Sequence, residues 1–294
     1  MVCYAIGRVS GSAVKQGGGA DRGADAEASR RLLSGRYAHL MSDQPAGPAV
    51  VSRVGAILRG VSAHEPAGVS TTRLARDIGQ ARPTCHRLLS LLLDEGLVDR
   101  DGASGRWHLG PETYLLGSRA AARYDVTPEA RAIVRHVAAE TGESAFLSVR
   151  RGDETVCLVA EEGSFPLRSH VLHEGIRFPL GVASAGLAIL SHLDDREIED
   201  YLLRSDLAHR WGAHHAVAAL RERVATTREA GFATNPGLVV EGSWGLGAAI
   251  FDRTAAPAWA VSLTGVESRF RDDRRPDLGR LLLAAAHRLT KTLR

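Results

Sequence analysis

The residues QARPTCHR at 80–87 bring two arginines, a threonine and a histidine together immediately before a leucine-rich run. Arginine guanidinium groups bind phosphate oxygens and the edge of guanine through paired N–H donors, and threonine and histidine supply further polar contacts. No acidic residue occurs between Ile78 and Leu93, so the beginning of this segment is electropositive. These residue types at this spacing predict recognition of a polyanion such as duplex DNA.

The leucines that follow predict how this segment is fixed on its domain. Pro83 fits the first turn of a helix, where a missing N–H costs nothing. Four leucines then recur at helical spacing, and they are Leu88, Leu89, Leu92 and Leu93. We therefore expect a helix whose first turns are polar and whose later turns are buried.

Two further helices and a hairpin surround this helix in the sequence. An apolar stripe at 50–63 predicts the first helix, and Ser70 or Thr71 can cap a short second helix. After Gly96, the runs LVDR and RWHLG flank the turn residues DGASG, which predicts a hairpin. Helix, helix, turn, helix and hairpin in this order predict a winged helix-turn-helix over 50–110.

In such a domain the third helix presents its first turns to the major groove, and the hairpin reaches the DNA backbone or the minor groove. The predicted DNA-contacting residues are Thr72, Arg73, Arg82, Thr84, Cys85, His86, Arg87, Arg100, Arg106 and His108. Cys85 can contact a thymine methyl or can be a buried structural residue. A small helical subdomain or a protein-docking winged helix is the alternative interpretation of the whole segment.

The composition limits the class of protein. A chain of 294 residues with 44% hydrophobic residues predicts two domains. Lys+Arg (37) against Asp+Glu (34) gives a net charge of +3, so affinity for nucleic acid must depend on where the charges lie. The three cysteines form no CxxC pair, which fits a cytoplasmic protein without disulfides. No apolar run is long enough to span a bilayer, so no membrane association is expected.

The first 49 residues are rich in Gly, Ala and Ser and lack hydrophobic periodicity, so we expect a disordered tail at 1–49. Met41 opens a segment that leads directly into the first predicted helix. This raises the hypothesis that translation starts at Met41.

Three further patterns approach catalytic or metal-binding motifs without meeting their requirements. HVLHE at 170–174 offers two histidines, but a strand would place them on opposite faces, where one metal ion is hard to share. GVASAG at 181–186 is not a GxSxG elbow, and GLGAAI at 245–250 lacks the third glycine of a dinucleotide fingerprint. His214 and His215 are expected at the surface. We therefore predict no catalytic residues, no metal and no cofactor.

Three stretches in this order resemble the IclR family of bacterial transcriptional regulators. They are STTRLARDIGQARPTCHRLLSLLLDEGLVDRDGASGRWHLG at 70–110, GESAFLSVRRGDETVCLVAEEG at 142–163 and RFPLGVASAGLAIL at 177–190. The resemblance covers 50–290. It implies an α+β protein in which a winged helix-turn-helix is joined by a linker helix to a GAF-like α/β effector-binding domain. It also implies a cytoplasmic homodimer, or a dimer of dimers, that binds promoter DNA under the control of a small molecule.

The residues after 110 agree with that arrangement. They predict a linker helix at 111–126 and an effector-binding and oligomerisation domain at 127–294. Within that domain we expect strands at 144–150, 154–160, 232–235, 246–251 and 258–264. Helices are expected at 127–140, 183–192, 194–204, 213–230 and 274–293.

By resemblance, the effector lies between the loop that enters the 183–192 helix and the facing strands. The effector-contacting residues so implied are Gly181, Val182, Ala183, Ser184, Ala185, Asn235, Gly237, Gly245, Leu246, Ser262 and Thr264. Many relatives that bind small carboxylates have acidic and thiol groups where this chain has Asn235, Gly237 and Gly245. A roomier, less polar pocket follows, which favours an aromatic or otherwise partly apolar organic acid.

Other residues near this pocket have possible roles as well. Trp244 is expected as a wall, and Arg168 or His170 can face the carboxylate of the acid. For the last two, a solvated position on a strand is the alternative. The alternative for the whole protein is an enzyme that uses the GAF-like domain, with the helix-turn-helix as a protein-docking module.

Overall fold

The computed structural model describes residues 49–124, 128–167 and 171–293. The predicted tail up to residue 48, including Met41, lies outside the described residues, as do Arg168 and His170. Among the described residues, no helix combines the length and apolar character needed to cross a membrane.

The N-terminal part contains three helices and a two-stranded antiparallel wing, as predicted. Its elements are α1 (Ala49–Ser62), α2 (Thr71–Asp77), α3 (Arg82–Asp94), β1 (Val98–Arg100) and β2 (Trp107–Leu109). The Ser70 hydroxyl caps α2 by accepting the backbone N–H of Arg73 at 3.3 Å. At the tip of the wing, Asp101 Oδ1 accepts the backbone N–H of Ser104 at 2.6 Å. Local polar contacts thus define both the start of α2 and the turn of the wing.

The core of this part joins all three helices to the wing. Leu74, Leu89 and Trp107 are buried together, and the Trp107 indole N–H donates to Thr71 Oγ1 at 2.9 Å. Leu93, which was expected on the buried face, has 37% of its surface exposed. It follows Leu92 by one position, and a step of about 100° around the helix turns it away from the core.

The helix α4 (Pro111–Tyr124) follows the wing, and the C-terminal part combines a sheet with helices. The elements of that part are α5 (Pro128–Thr141), β3 (Ser144–Arg151), β4 (Glu154–Glu161), β5 (Arg177–Pro179), α6 (Ser184–Ser191), α7 (Asp195–Arg204), α8 (Leu207–Trp211), α9 (Val217–Ala230), β6 (Ala233–Pro236), β7 (Ser243–Phe251), β8 (Pro257–Val266) and α10 (Arg275–Thr292). Together with the N-terminal part, they form the predicted α+β architecture.

The six strands of the C-terminal part form one antiparallel sheet in the order β5-β4-β3-β8-β7-β6. Helices α5 and α10 cover one face with the main apolar core. The wholly buried helix α6 lies on β7 and β8, and α9 packs against α6 and β6. The start of α6 therefore lies buried between the sheet on one side and α9 on the other.

The prediction of one long helix over 213–230 was wrong. A 3₁₀ turn at Ala213–His215 precedes α9, because Ala216 between them is extended with φ −64° and ψ 154°. The break turns His215 inward, and only 1% of its surface is exposed, so the expected surface position for it was wrong. Residues 171–176 form turns rather than the strand expected around HVLHE.

One buried carboxylate ties the start of β3 to the segment before α10. The Glu143 side chain, 1% exposed, accepts Arg269 Nε at 2.7 Å and Arg274 Nη1 at 2.9 Å. Both arginines also donate to the Thr141 carbonyl, at 3.1 and 2.6 Å. Each charge in the cluster depends on the others, because none is fully hydrated.

We expect Glu143→Ala to lower the free energy of unfolding of the C-terminal domain by about 3 kcal/mol, since it leaves two partly buried guanidinium groups without their carboxylate. Urea titration followed by circular dichroism measures this change. As a control, Glu199→Gln breaks an exposed pair with Arg221 and should leave the midpoint unchanged. Equal midpoints for the two variants would contradict the assignment of Glu143 as a buried anchor.

Candidate functional site

The first turns of α3 present an unshielded basic surface. Arg82, His86 and Arg87 are exposed, and Thr84 is half-buried beside them. The N-cap residue Ala81 provides no side-chain hydrogen bond, so the first backbone N–H groups of α3 are open to an acceptor. Within the described part of the chain, neither Arg82 nor Arg87 is held by an ion pair. A helix start of this kind can bind phosphate and base edges.

The wing lies beside this helix start through Trp107. The His86 and Trp107 rings meet edge to face with centroids 6.4 Å apart, and the Arg100 guanidinium lies 5.3 Å from the indole centroid. Arg106 uses Nη1 to bind the carbonyls of Ala67 and Gly68 at 3.1 and 3.2 Å, while the residue as a whole stays exposed. The structure thus brings Arg100 next to α3 through Trp107, whereas Arg106 is held against the loop before α2.

The two predicted contacts on α2 are also at the surface. Thr72 and Arg73 are exposed, and Arg73 Nε donates to Asp77 Oδ2 at 2.9 Å. An exposed ion pair at this spacing is weak, so the guanidinium can exchange its partner for a phosphate.

Cys85 does not belong to this surface. Its side chain is fully buried in the domain core between the helices and the wing, and burial raises the pKa of its thiol. The helical repeat explains this, because Cys85 precedes Leu88, Leu89 and Leu92 on the buried face. The thymine contact considered for Cys85 is therefore wrong, and the structural alternative is correct.

His108 is likewise held within the domain rather than offered to DNA. Its Nδ1 lies 3.1 Å from Glu65 Oε2, and its Nε2 lies against Gly68, where an added Cβ would approach it to 2.4 Å. Glu65 also accepts the backbone N–H of Leu109 at 2.7 Å, a hydrogen bond that lowers the pKa of its carboxyl group. The contact with Glu65 thus holds the His108 imidazole against the loop before α2, with Nε2 close to Gly68.

The second candidate site is built around two hydroxyl groups on β8. Ser262 and Thr264 are 0% and 6% exposed, and neither side-chain oxygen has a hydrogen-bond partner within residues 49–124, 128–167 and 171–293. They are two residues apart on one strand, so both side chains lie on the same face of the sheet. Buried hydroxyls are normally hydrogen-bonded, and a pair without partners on one face indicates a place for a polar ligand group.

Two glycines opposite these hydroxyls let α6 approach the sheet. Gly247 pairs with Ser262 and Gly245 with Thr264 across β7 and β8. A Cβ added at Gly247 would lie 2.6 Å from the Ser184 carbonyl oxygen, and one at Gly245 would lie 3.1 Å from Ser184 Oγ. Ser184 at the start of α6 therefore faces the β8 hydroxyls only because these two strand positions lack side chains.

Gly247→Ala should lower the stability of the C-terminal domain by about 1–3 kcal/mol, because the colliding atom is a backbone oxygen that cannot rotate away. The displaced start of α6 should also reduce binding of any acid at the site. The matched control is Gly117→Ala on α4, where an added Cβ meets nothing within 4 Å and alanine favours the helix. Thermal unfolding with and without ligand measures both effects, and equal behaviour of the two variants would contradict the steric account.

The turn before α6 is clamped by side chains from two other elements. Asn235 Nδ2 donates to the Val182 carbonyl at 2.7 Å, and its Oδ1 accepts the backbone N–H of Leu238 at 2.9 Å. Gly237 lies inside the loop closed by that second bond and has φ +75°. From α9, Arg223 Nη1 donates to the Gly181 carbonyl at 3.2 Å. Asn235 and Gly237 therefore position the turn together with Arg223, a residue that no sequence motif indicated.

The remaining predicted residues of the turn are buried beside it, with Val182 0%, Ala183 6% and Ala185 2% exposed. Ala183 is the N-cap of α6 and supplies no side-chain cap, so the first N–H groups of the helix can receive an anionic or polar group. The first N–H groups of α6 and the hydroxyl groups of β8 thus line the same candidate site.

Leu246 and Trp244 do not line this site. Strand residues alternate between faces, and both residues fall on the face opposite Gly245 and Gly247. Leu246 is fully buried in the core with α5 and α10, and Trp244 packs against that core with Arg275 of α10 5.2 Å from its ring centroid. The predicted pocket roles of these two side chains were therefore wrong.

Comparison with known families matches both parts of the chain. Residues 50–102 match the IclR helix-turn-helix domain, and residues 118–291 match the C-terminal domain of the bacterial transcriptional regulator IclR, which is more than half of the chain. The matched proteins are transcriptional regulators, so the alternative of an enzyme is not supported.

Individual relatives agree with these family matches. The transcriptional repressor IclR of Escherichia coli K12 is 28% identical over 230 residues, covering 76% of this chain and 82% of the relative. The regulator KipR of Bacillus subtilis 168 is 27% identical over 231 residues, covering 78% and 91%.

Solved structures share the fold. An IclR regulator from Alicyclobacillus acidocaldarius has a TM-score of 0.66 at 24% identity and covers 84% of this chain and 99% of its own. An IclR homologue from Microbacterium hydrocarbonoxydans, complexed with 4-hydroxybenzoate, has a TM-score of 0.65 at 20% identity and covers 83% and 98%.

Proposed function

Because the chain belongs to the IclR family of bacterial transcriptional regulators, we propose that it represses a promoter by binding an operator and that an organic acid in its C-terminal domain changes operator affinity. The observation that carries the second part is the pair of buried hydroxyls of Ser262 and Thr264, which have no hydrogen-bond partner in the part of the chain that the structure describes. A ligand that satisfies them in one arrangement of the protein shifts the equilibrium towards that arrangement.

The operator is read by the exposed start of α3 and is held by α2 and the wing. The proposed contacts are Thr72, Arg73, Arg82, Thr84, His86, Arg87, Arg100 and Arg106. Arg82 and Arg87 carry the largest share, since neither guanidinium is committed to an ion pair among the described residues. Base contacts by either arginine specify sequence, whereas phosphate contacts strengthen binding to every sequence.

The effector occupies the space between the turn before α6 and the strands β7 and β8. The proposed contacts are Gly181, Val182, Ala183, Ser184, Ala185, Gly245, Ser262 and Thr264, with Asn235 and Gly237 holding the turn. Phe146 on β3 pairs in register with Ser262 and lies on the same face of the sheet. Phe146 offers an aromatic surface, the two hydroxyls offer hydrogen bonds, and Gly245 leaves room beside them. These features support an aromatic or partly apolar acid as the effector.

A symmetric dimer supplies two α3 helices for two half-sites about 34 Å apart. Three apolar residues of α4 support pairing with a second copy, since Tyr114, Leu115 and Leu116 are 75%, 47% and 50% exposed. We assign the winged helix-turn-helix to 50–110, the linker helix to 111–126 and the effector-binding and oligomerisation domain to 127–294, with a dimer or a dimer of dimers as the working unit.

Selection of bound fragments from a random duplex library, followed by footprinting, tests this function. Two related half-sites, protected in major grooves about one helical turn or a multiple apart, are expected. Benzoate and 4-hydroxybenzoate should then change the midpoint of binding in a fluorescence-anisotropy titration. Failure to enrich any sequence, or an operator affinity that no acid alters, would contradict the proposal.

A further inference from the structure

Arg223 on α9 is half-buried, and its guanidinium points into the protein. Its Nη1 donates to the Gly181 carbonyl, whereas Nε and Nη2 are buried and have no hydrogen-bond partner among the residues that the structure describes. No carboxylate of residues 49–124, 128–167 or 171–293 forms an ion pair with it. Burial lowers the pKa of the guanidinium to about 10, which leaves it charged at neutral pH.

The two N–H donors without an acceptor, Nε and Nη2, lie on the same edge of the guanidinium plane. That edge presents two parallel N–H groups, the arrangement that receives the two oxygens of a carboxylate. A buried, charged donor without an acceptor is strongly unfavourable, so its position calls for an anion in the functional state. Both atoms are shielded by the chain's own residues, which favours a small anion admitted to the interior over an acidic side chain of a docked protein.

Aromatic side chains also lie near the turn before α6, whose Gly181 carbonyl Arg223 holds. The Trp211 indole N–H is also buried without a partner, and its ring lies 5.6 Å from that of Phe178 and 6.4 Å from that of His215. His215 Nδ1 donates to the Trp211 carbonyl at 2.9 Å, and burial followed by the charge of Arg223 lowers the pKa of its imidazole. The neighbourhood of the Arg223 edge therefore combines a fixed positive charge with aromatic surface.

We propose that Arg223 is the carboxylate-binding residue of the effector site, its Nε and Nη2 receiving the acid group and the Trp211 indole N–H serving as a further donor. This assignment rests on the proposed function. It names the part of the effector that the hydroxyls of Ser262 and Thr264 do not explain, because a neutral ligand would satisfy those two groups equally well. It also connects ligand binding to the Gly181 carbonyl, which the same guanidinium holds.

Matched acids and amides test the assignment with the full-length protein. The probes are benzoate, 4-hydroxybenzoate, benzamide and 4-hydroxybenzamide, with binding measured by calorimetry and thermal shift. The wild type should bind each acid at least about tenfold more tightly than its amide, as expected for charge-assisted hydrogen bonds. Arg223→Gln should lose that preference, with acid affinity falling by about tenfold more than amide affinity, whereas Arg223→Lys should retain part of it, because it keeps the charge without the paired edge.

The matched control is Arg221→Gln on the same helix, which removes an exposed arginine paired with Glu199 and should not alter either affinity. Acid preference that survives in folded Arg223→Gln would overturn the assignment. The assignment would also be overturned if chloride stabilised the wild type as much as benzoate does and Arg223→Gln abolished this stabilisation. Arg223 would then be an adventitious anion site only. If the wild type binds none of the four probes, both this assignment and the effector pocket fail. If it binds acid and amide equally, only this assignment fails.

Discussion

Replacing Arg82 and Arg87 together with alanine is expected to weaken operator binding by at least about 100-fold, while the protein remains folded. Both side chains are exposed at the start of α3 and contribute nothing to the domain core, so their loss removes contacts to DNA without cost to stability. Each arginine contact is worth about 1–3 kcal/mol, and a symmetric dimer loses every contact twice. Fluorescence anisotropy on the selected operator measures the loss.

The single variants separate the two kinds of contact. A variant that weakens all sequences equally and reduces the salt dependence has lost a phosphate contact, whereas one that tolerates a changed base has lost direct readout. Arg280→Ala, which removes an exposed arginine of α10, serves as the matched control. If the double variant binds and discriminates as well as this control, α3 does not read the operator.

The second large effect is expected at β8. Ser262→Ala combined with Thr264→Val should weaken acid binding by about 10- to 100-fold, since two hydrogen bonds to the ligand are lost and each is worth about 0.5–1.5 kcal/mol. In the absence of ligand, the same variant should be as stable as the wild type or more stable, because the removed hydroxyls have no partner to lose among the described residues. Calorimetry and thermal unfolding measure the two effects.

A buried hydroxyl with a partner provides the contrast. Ser191 Oγ donates to the Leu187 carbonyl at 2.7 Å, so Ser191→Ala should lower stability and leave acid affinity unchanged. The opposite pattern, in which the β8 double variant loses stability and keeps its affinity for acid, would show that Ser262 and Thr264 are structural groups.

The exposed basic start of α3 could be predicted because its signals are local. Helical spacing placed Leu89 and Leu92 inside and the arginines of the first turns outside, although it also placed the exposed Leu93 inside. The same spacing already placed Cys85 on the buried face, one turn before Leu89, so its position could have been read from the helical repeat alone. His108 could not have been assigned in this way, since its partner Glu65 lies 43 residues away in the sequence.

The effector site shows where a pattern in sequence stops being sufficient. Alternation along β7 was readable, but which face carries Gly245 and which carries Leu246 depends on the helices that cover each side of the sheet. Arg223 gave no signal, because arginines in amphipathic helices are ordinarily solvated. Its burial depends on the break at Ala216 and on the packing of α9 against α6, which are both tertiary features.

An acid bound in the C-terminal domain and an operator bound at α3 should each change the affinity of the protein for the other. The most direct measurement is the affinity of benzoate or 4-hydroxybenzoate for the protein, free and saturated with operator, together with operator affinity at zero and saturating acid. Linkage requires that acid changes operator affinity by the same factor as operator changes acid affinity. We predict that this factor differs clearly from 1 in the wild type and returns to 1 in the Ser262→Ala/Thr264→Val variant. Acid that binds with equal affinity whether or not operator is present would contradict the account.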